Sequence, residues 1–420
     1  MQMRRYGSYS HNQHTKYYTL TEDIIMKAKL LGIALFTLTF GVVVNYPQLL
    51  AKNIEVNPPV NHHITMNKSR IDVVFVLDTT GSMSGLIQTA KEKIWSIATT
   101  MASAQPTPEI RIGLVAYRDR GDQYVTKLVD LSADLDSVYA KLMNFQADGG
   151  GDTPESVNKA LYDAVHGMSW SQGDQAYQVI FLIGDAPPHM NYNEVRYPVI
   201  VADALEKGIV INTIQCGGMS TTVAPWTQIA SLGHGNFFQV NQAGGAVAYT
   251  TPYDDKIALL SAKLDDTRLY YGTEEEKERM KRKVAATDKL HAGASVSARA
   301  RRGVFNVTVG GKANFLGENE LVDAIASGAV DLNEIDTKAL PAAMKAMEPA
   351  EQKAYVAKLA TERDVLQRQI KDLSADRDGY LKEKVEEAGG LKDSLDQRIY
   401  ESVREQAGKA GLEYDDGPSY

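Results

Sequence analysis

Cysteine is almost missing from this chain: among 420 residues there is one, Cys216. An intramolecular disulfide and a cysteine-rich zinc site are both excluded. With no cysteine after the N-terminal apolar run, a bacterial lipoprotein anchor is excluded too. Cys216 closes the apolar run IVINTIQC and reads as a buried, inert thiol. A basic excess is missing as well: 45 Lys and Arg stand against 53 Asp and Glu, for a formal net charge of −8. That argues against a general nucleic-acid binder, which presents a basic face. The apolar run from Leu30 to Val44 falls short of the roughly 18 residues that a spanning helix needs. No Gly-Lys-Ser/Thr follows the glycines at 149–151, so they are not a phosphate-binding loop.

What is present is organised around Ile71 to Ser84, IDVVFVLDTTGSMS. Ile71 to Leu77 is almost continuously apolar and rich in valine, the pattern of a strand buried on both faces inside a parallel sheet. The chain then turns abruptly to small polar residues, with Asp78, Thr80 and Ser82 alternating and Gly81 permitting a sharp turn. Leu86, Ile87, Ala90, Ile94, Ile97 and Ala98 then recur at helical spacing. A carboxylate and two hydroxyls thus meet where a buried strand becomes a helix, the end of an open α/β sheet at which ligands bind. Close oxygen ligands without imidazole or thiolate suit a hard cation such as Mg²⁺.

With 420 residues and 44% hydrophobic content the chain is long enough for two or three domains. Residues 1–51 read as a polar tail followed by a secretory signal or an uncleaved membrane anchor. Met26 is the better start, Lys27 and Lys29 precede the apolar run at 30–44, and Leu49 and Ala51 offer a mediocre cleavage site. Residues 52–68, with Pro58-Pro59, read as a linker. From 69 to 265 strand and helix alternate, with buried strands at Ile110–Tyr117, Val179–Ile183 and Val210–Ile214 and an edge strand near Tyr124–Leu131. This predicts an α/β fold: a doubly wound, mostly parallel sheet with helices on both faces. Residues 266–420 form a smaller helix-rich region. Alternation around Val304, Phe305, Val307 and Val309 predicts a small hairpin within 295–316. Leu359, Leu366, Leu373 and Tyr380 recur every seventh residue, but the intervening seam includes Arg363 and Arg377. A helical hairpin against Leu391 to Val403 is therefore expected ahead of a dimeric coiled coil, and the oligomeric state stays open.

Three oxygen-bearing loops are expected to converge at the sheet's carboxyl edge: Asp78-x-Thr80-x-Ser82, Asp152-Thr153-Pro154-Glu155, and Asp185 in GDAPPH. Asp-x-Thr-Gly-Ser-Met after a buried strand, Thr-Pro-Glu, and Asp185 after VIFLIG together resemble a von Willebrand factor type A (VWA) domain with its metal-ion-dependent adhesion site. The resemblance covers about 69–265. It implies a Rossmann-like domain in which Asp78, Thr80, Ser82, Thr153 and Asp185 hold Mg²⁺, or another divalent cation such as Mn²⁺ or Ca²⁺. It also implies a protein partner whose Asp or Glu completes the coordination.

Each motif has a plainer reading. Thr153-Pro154-Glu155 matches an ordinary helix start, and Ser82 or Ser84 could cap the next helix. His189 would satisfy a turn carbonyl. Arg120-Gly121-Asp122 reads as a charged turn, and Arg299, Arg301 and Arg302 as a solvated face. The reading reached is a non-enzymatic, Mg²⁺-dependent, protein-binding module of an exported or envelope-anchored protein. Two other classes stay open. One is a structural envelope scaffold acting through the C-terminal helices. The other is an aspartyl-phosphate phosphotransferase using Asp78 as nucleophile.

Overall fold

The computed structural model describes residues 69–151, 153–173, 176–244, 249–387 and 394–414. The tail, the signal or anchor and the linker lie outside the described residues.

Six strands form one sheet: β1 (Arg70–Asp78), β2 (Glu109–Tyr117), β3 (Thr126–Ser132), β4 (Ala176–Gly184), β5 (Ile209–Cys216) and β6 (His234–Val240). Their order is β3-β2-β1-β4-β5-β6. All pairings are parallel except that of the edge strand β3 with β2. β1 lies in the middle, which is why its sequence is apolar on both faces. Ile71, Val73, Phe75 and Leu77 enter one core, while Val74 and Val76 enter the other. Each such side chain contributes about 1.5–3 kcal/mol on burial. Helices α1 (Ser84–Ala102) and α2 (Leu135–Leu142) help build the first core. Helices α3 (Val157–His166), α4 (Tyr197–Glu206) and α5 (Ser220–Leu232) build the second. The order reverses about β1, whose neighbours β2 and β4 lead away in opposite directions, so the crevice between the ends of β1 and β4 is a topological switch point. Cys216 is fully buried, and burial pushes its thiol up.

Helix α6 (Asp254–Asp265) closes the alternating part, and helices continue to the end. These are α7 (Glu274–Gly293), α8 (Val296–Asn306), α9 (Lys312–Leu316), α10 (Leu321–Ala326), α11 (Pro349–Glu387) and α12 (Leu395–Ala407). A capping box between Thr273 and Glu276 starts α7. The hairpin expected within 295–316 is not formed: α8 and α9 occupy that stretch. Ser295 caps α8 by accepting from the Ala298 amide at 3.0 Å. The alternation misled because α8 is buried nearly all round, with Phe305 inside and polar Arg301, Arg302 and Asn306 inside beside it.

The seven-residue seam of α11 is used within the chain. Leu366 and Ile370 pack with Ile257, Leu260 and Leu264 of α6 and with Phe315, while Val356 and Leu359 pack with Leu321 and Val322. Arg363 in that seam pairs with Glu320 at 2.8 Å, and Arg377 with Asp254 at 2.9 Å. The expected hairpin of α11 with the last helix is likewise corrected. α12 packs on α1, β4 and β6. Leu395, Ile399, Tyr400 and Val403 enter the core under α1 because that sheet face carries apolar surface with no other cover. Among the described residues, no helix is long and apolar enough to cross a membrane.

In the basic cluster of α8, Arg301 and Arg302 are buried rather than solvated, and Arg299 is half-buried. Fully buried Arg302 binds Asp136 of α2 at 2.6 Å and Asp265 of α6 at 2.7 Å. Against the effect of burial, the guanidinium groups of Arg302 and Arg268 hold Asp265 down at about 2, and Arg302 with Lys283 holds Asp136 lower still. Replacing Arg302 strands two buried carboxylates. Arg302→Leu should cost about 3–5 kcal/mol of unfolding free energy in urea titration. Both carboxylates are depressed, so their contribution is complete above the ordinary aspartate range near 3.8, and that of Asp265 is lost as pH falls through about 2, that of Asp136 lower still. The variant should therefore show a weaker loss of stability between pH 4 and 2 than the parent.

Candidate metal centre

β1 delivers Asp78 to the crevice, fully buried, and the chain bends at once. Thr79 fixes the bend, its amide and hydroxyl both donating to the Tyr117 carbonyl at 2.9 and 2.8 Å. Thr80 is extended and Gly81–Met83 form a single 3-10 turn before α1. Asp78 Oδ1 accepts from the Thr80 amide at 2.9 Å and from its hydroxyl at 2.7 Å, and the Thr80 and Ser82 hydroxyls lie 3.4 Å apart. The N-cap position of α1 falls on Met83, so neither Ser82 nor Ser84 serves as its cap. Ser82 is exposed at the rim.

Asp185 follows β4 and closes against Asp78 because Gly184 lacks a side chain. A Cβ at Gly184 would lie 2.9 Å from Asp78 Cβ and 3.0 Å from Asp78 Oδ2. The loop at 148–156 crosses both turns. The Asp148 amide donates to the Thr79 carbonyl, Gly81 donates to the Gly149 carbonyl at 3.1 Å, and Glu155 bridges to Pro188. Gly149 and Gly150 take φ near +73° and +72°, which lets the backbone lie flat on the β1 turn. Thr153 is exposed in this loop, joined to Pro154 by a cis peptide. It does not start α3, whose N-cap is Ser156. Asp152 lies outside the described residues. The structure thus brings Asp78, Thr80, Ser82 and Asp185 to one spot and lays the loop bearing Thr153 across it.

Sequence reasoning placed Glu155 in a converging loop without making it a ligand, and missed Gln242 and Asp119. Glu155 is 3% exposed. One oxygen of each of Asp78 and Glu155, Oδ2 and Oε2, is buried without a hydrogen-bond partner. Gln242, just after β6, donates to Asp185 Oδ2 at 2.7 Å. Asp119, after β2, holds the far side of the loop. It accepts from the Ser156 hydroxyl at 2.7 Å and the Tyr192 hydroxyl at 2.7 Å, and meets His189 Nε2 at 3.1 Å. His189 therefore answers a carboxylate rather than a turn carbonyl. The Arg120-Gly121-Asp122 turn is engaged internally, with Arg120 on Glu194 at 3.1 Å and Asp122 taking the Gly150 amide at 3.3 Å. The carboxylates at 119 and 122 were visible as letters, but nothing in their spacing marked them as neighbours of the converging loops.

Burial dominates the electrostatics. It raises Asp78 to about 7, with the Thr80 bonds opposing and the Asp185 charge adding. It raises Glu155 to about 9, with the charges of Asp78, Asp119, Asp122 and Asp185 adding. Among the described residues, no three His, Cys, Asp or Glu side chains are grouped so as to hold a metal by themselves. The Thr and Ser hydroxyls are needed to complete a set. The donors that do gather are all hard oxygens, and a buried carboxylate oxygen is left open among them, which fits Mg²⁺, Mn²⁺ or Ca²⁺.

An α/β domain with oxygen donors gathered at a switch point is the class that fold and site define. Residues 72–251 match the family model of the von Willebrand factor A domain, which supports such a domain over the sheet and its helices. A putative ariadne-like RING finger protein of Acanthamoeba polyphaga mimivirus is 28% identical over 130 residues, 30% of this chain and 12% of that protein. Among solved structures, proximal thread matrix protein 1 from the mussel byssus is similar with a TM-score of 0.32 and 15% identity, over 42% of this chain and 43% of that one. The same protein with a zinc-occupied MIDAS motif gives a TM-score of 0.32 and 15% identity, over 42% of each chain. The chain spans less than half the length of each of these proteins.

Asp78 and Glu155 both bind protons more tightly when folded than their ordinary values near 3.8 and 4.5. At these two groups the folded state therefore holds more protons than the unfolded one between about pH 4 and about 9, and their contribution to stability falls as pH rises. In EDTA, the melting temperature should fall from pH 4.5 to 7, and the fall should be shallower in Asp78→Asn.

Proposed function

We propose that residues 69–265 act as a cation-dependent protein-binding module. Asp78, Thr80, Ser82, Thr153 and Asp185 hold Mg²⁺, and a partner's Asp or Glu completes its coordination. The observation that carries this reading is the trio Asp78, Glu155 and Asp185. These are buried acids in one crevice, and no Lys, Arg or His pairs with them among the described residues. When bound, the cation would supply the positive charge that the protein leaves out, and a point of attachment for an anionic partner group. The chain's own residues fix the hydroxyls and carboxylates and keep water from the buried side.

The same trio argues against Asp78 as a phosphoryl nucleophile. One of its oxygens is occupied by Thr80, and the Asp185 carboxylate and the buried Glu155 side chain crowd the approach of an entering phosphate with no cationic side chain beside them among the described residues. We propose a non-enzymatic role. We extend the proposal to an exported or envelope-anchored protein, with 26–51 as signal or anchor. A structural scaffold is the second reading, favoured by the C-terminal helices that enter the sheet's core.

A cation at 100 times its Kd should add about 2.7 kcal/mol to stability. Mg²⁺ should raise the melting temperature of the parent, and Asp78→Ala/Asp185→Ala should remove that shift. In EDTA the double variant should be at least as stable as the parent, since it deletes uncompensated buried charge. Capture of a binding partner from the native envelope should be abolished by EDTA and restored by Mg²⁺. Equal capture by parent and double variant would leave the scaffold reading standing.

A further inference from the structure

One polar side chain outside every motif reaches the centre. Gln242 Nε2 donates to Asp185 Oδ2 at 2.7 Å, and lies 3.5 Å from the Ser82 carbonyl and 3.6 Å from Met83 Sδ. The carboxamide fits there because Gly217, after β5, has no side chain; a Cβ on it would come within 2.1 Å of Gln242 Oε1. One neutral group thus touches the loops that follow β1, β4 and β5. A primary amide offers a carboxylate what a cation offers, positive charge directed at its lone pairs, in weaker form. Both cannot use the same lone pair of Asp185.

The segment carrying Gln242 is tied down beyond the centre. Thr89 Oγ1 of α1 donates to the Ala243 carbonyl at 2.7 Å, and the Leu395 amide, at the start of α12, donates to the Gly244 carbonyl at 3.0 Å. Asp396, next along α12, is locked to buried Lys93 of α1 at 2.8 Å. Movement of Gln242 therefore strains a bond to the C-terminal helix.

We propose that Gln242 competes with the divalent cation for Asp185, so that its carboxamide holds the site's affinity down and links occupancy to the Gly244–Leu395 tie. The inference rests on the cation-binding reading above. Gln242 is a positioning residue in the cation-free state and yields when the cation arrives.

The test is calorimetric Mg²⁺ titration of the full chain and of Gln242→Met, Gln242→Ala and Asp185→Ala, with amide hydrogen exchange at Leu395 in each. Gln242→Met keeps the volume beside Gly217 and Met83 without the donor, and carries the test if the alanine variant fails to fold. The expected result is binding about ten-fold tighter in Gln242→Met, the scale of one hydrogen bond to a charged group. Mg²⁺ should also speed Leu395 exchange in the parent, and leave it unchanged in Gln242→Met. Equal or weaker Mg²⁺ binding by Gln242→Met, with the parent binding and Asp185→Ala not, overturns the competition and leaves the metal centre intact. A parent that binds no more Mg²⁺ than Asp185→Ala overturns the centre and the competition together.

Discussion

Buried negative charge is the constraint on which this molecule turns. An ionised carboxylate taken out of water must be met by a charge or by several hydrogen bonds, or it gives up its charge. Most buried acids here are met by a base. Arg111 takes Asp72, His189 takes Asp119, Arg302 takes Asp136 and Asp265, Arg377 takes Asp254, Arg363 takes Glu320 and Lys93 takes Asp396. Among the described residues the exceptions, Asp78, Glu155 and Asp185, share a single crevice at the sheet's carboxyl edge. A fold that pairs its other buried acids so consistently has set this place apart. The Thr80 and Ser82 hydroxyls beside it are donors that a cation could use directly.

The paired acids do a different job. Arg111 with Asp72 and His189 with Asp119 tie the α/β part to itself, and each of the other ion pairs fastens one of the late helices to the α/β part or to another late helix. Arg302 joins α8 to α2 and α6, Arg377 joins α11 to α6, and Lys93 joins α1 to α12. Such pairs add little net stability over apolar contacts of the same shape, but they penalise wrong arrangements heavily. They select one way for a long run of helices to settle on the sheet.

This division explains what the sequence disclosed. β1 was legible because its apolar run satisfies both faces, and the turn beyond it because carboxylate and hydroxyls alternate within five residues. Asp185 was legible from its place after a second such strand. Glu155 was legible as part of a converging loop but not as a buried acid of the centre, since its burial depends on how the 148–156 loop crosses two turns. Gln242 was not, since a lone amide after an edge strand has no pattern. The α8 error has the same root: periodicity assumes that polar residues face water, and Arg301, Arg302 and Asn306 are inside. In α11 the two arginines made the heptad seam look half solvated, when each was meeting an acid roughly 40 to 120 residues earlier in the chain.

The crevice is consequently not a property of residues 69–265 alone. Its rim includes Gln242, whose neighbour Gly244 is bonded to the first residue of α12. α12 in turn covers the sheet face beneath Phe75 and Ile183, and β4, on which Ile183 lies, ends one residue before Asp185. Tyr177 at the opposite end of β4 bonds Gln406 of α12 at 2.7 Å, and Gln406 also joins Asn212 of β5. The last helix therefore grips β4 and β5 along their length, and these strands aim Asp185 and Gly217. Position at the edge is set by packing over the whole sheet, and the C-terminal helices supply a share of that packing which no motif in the α/β segment could announce.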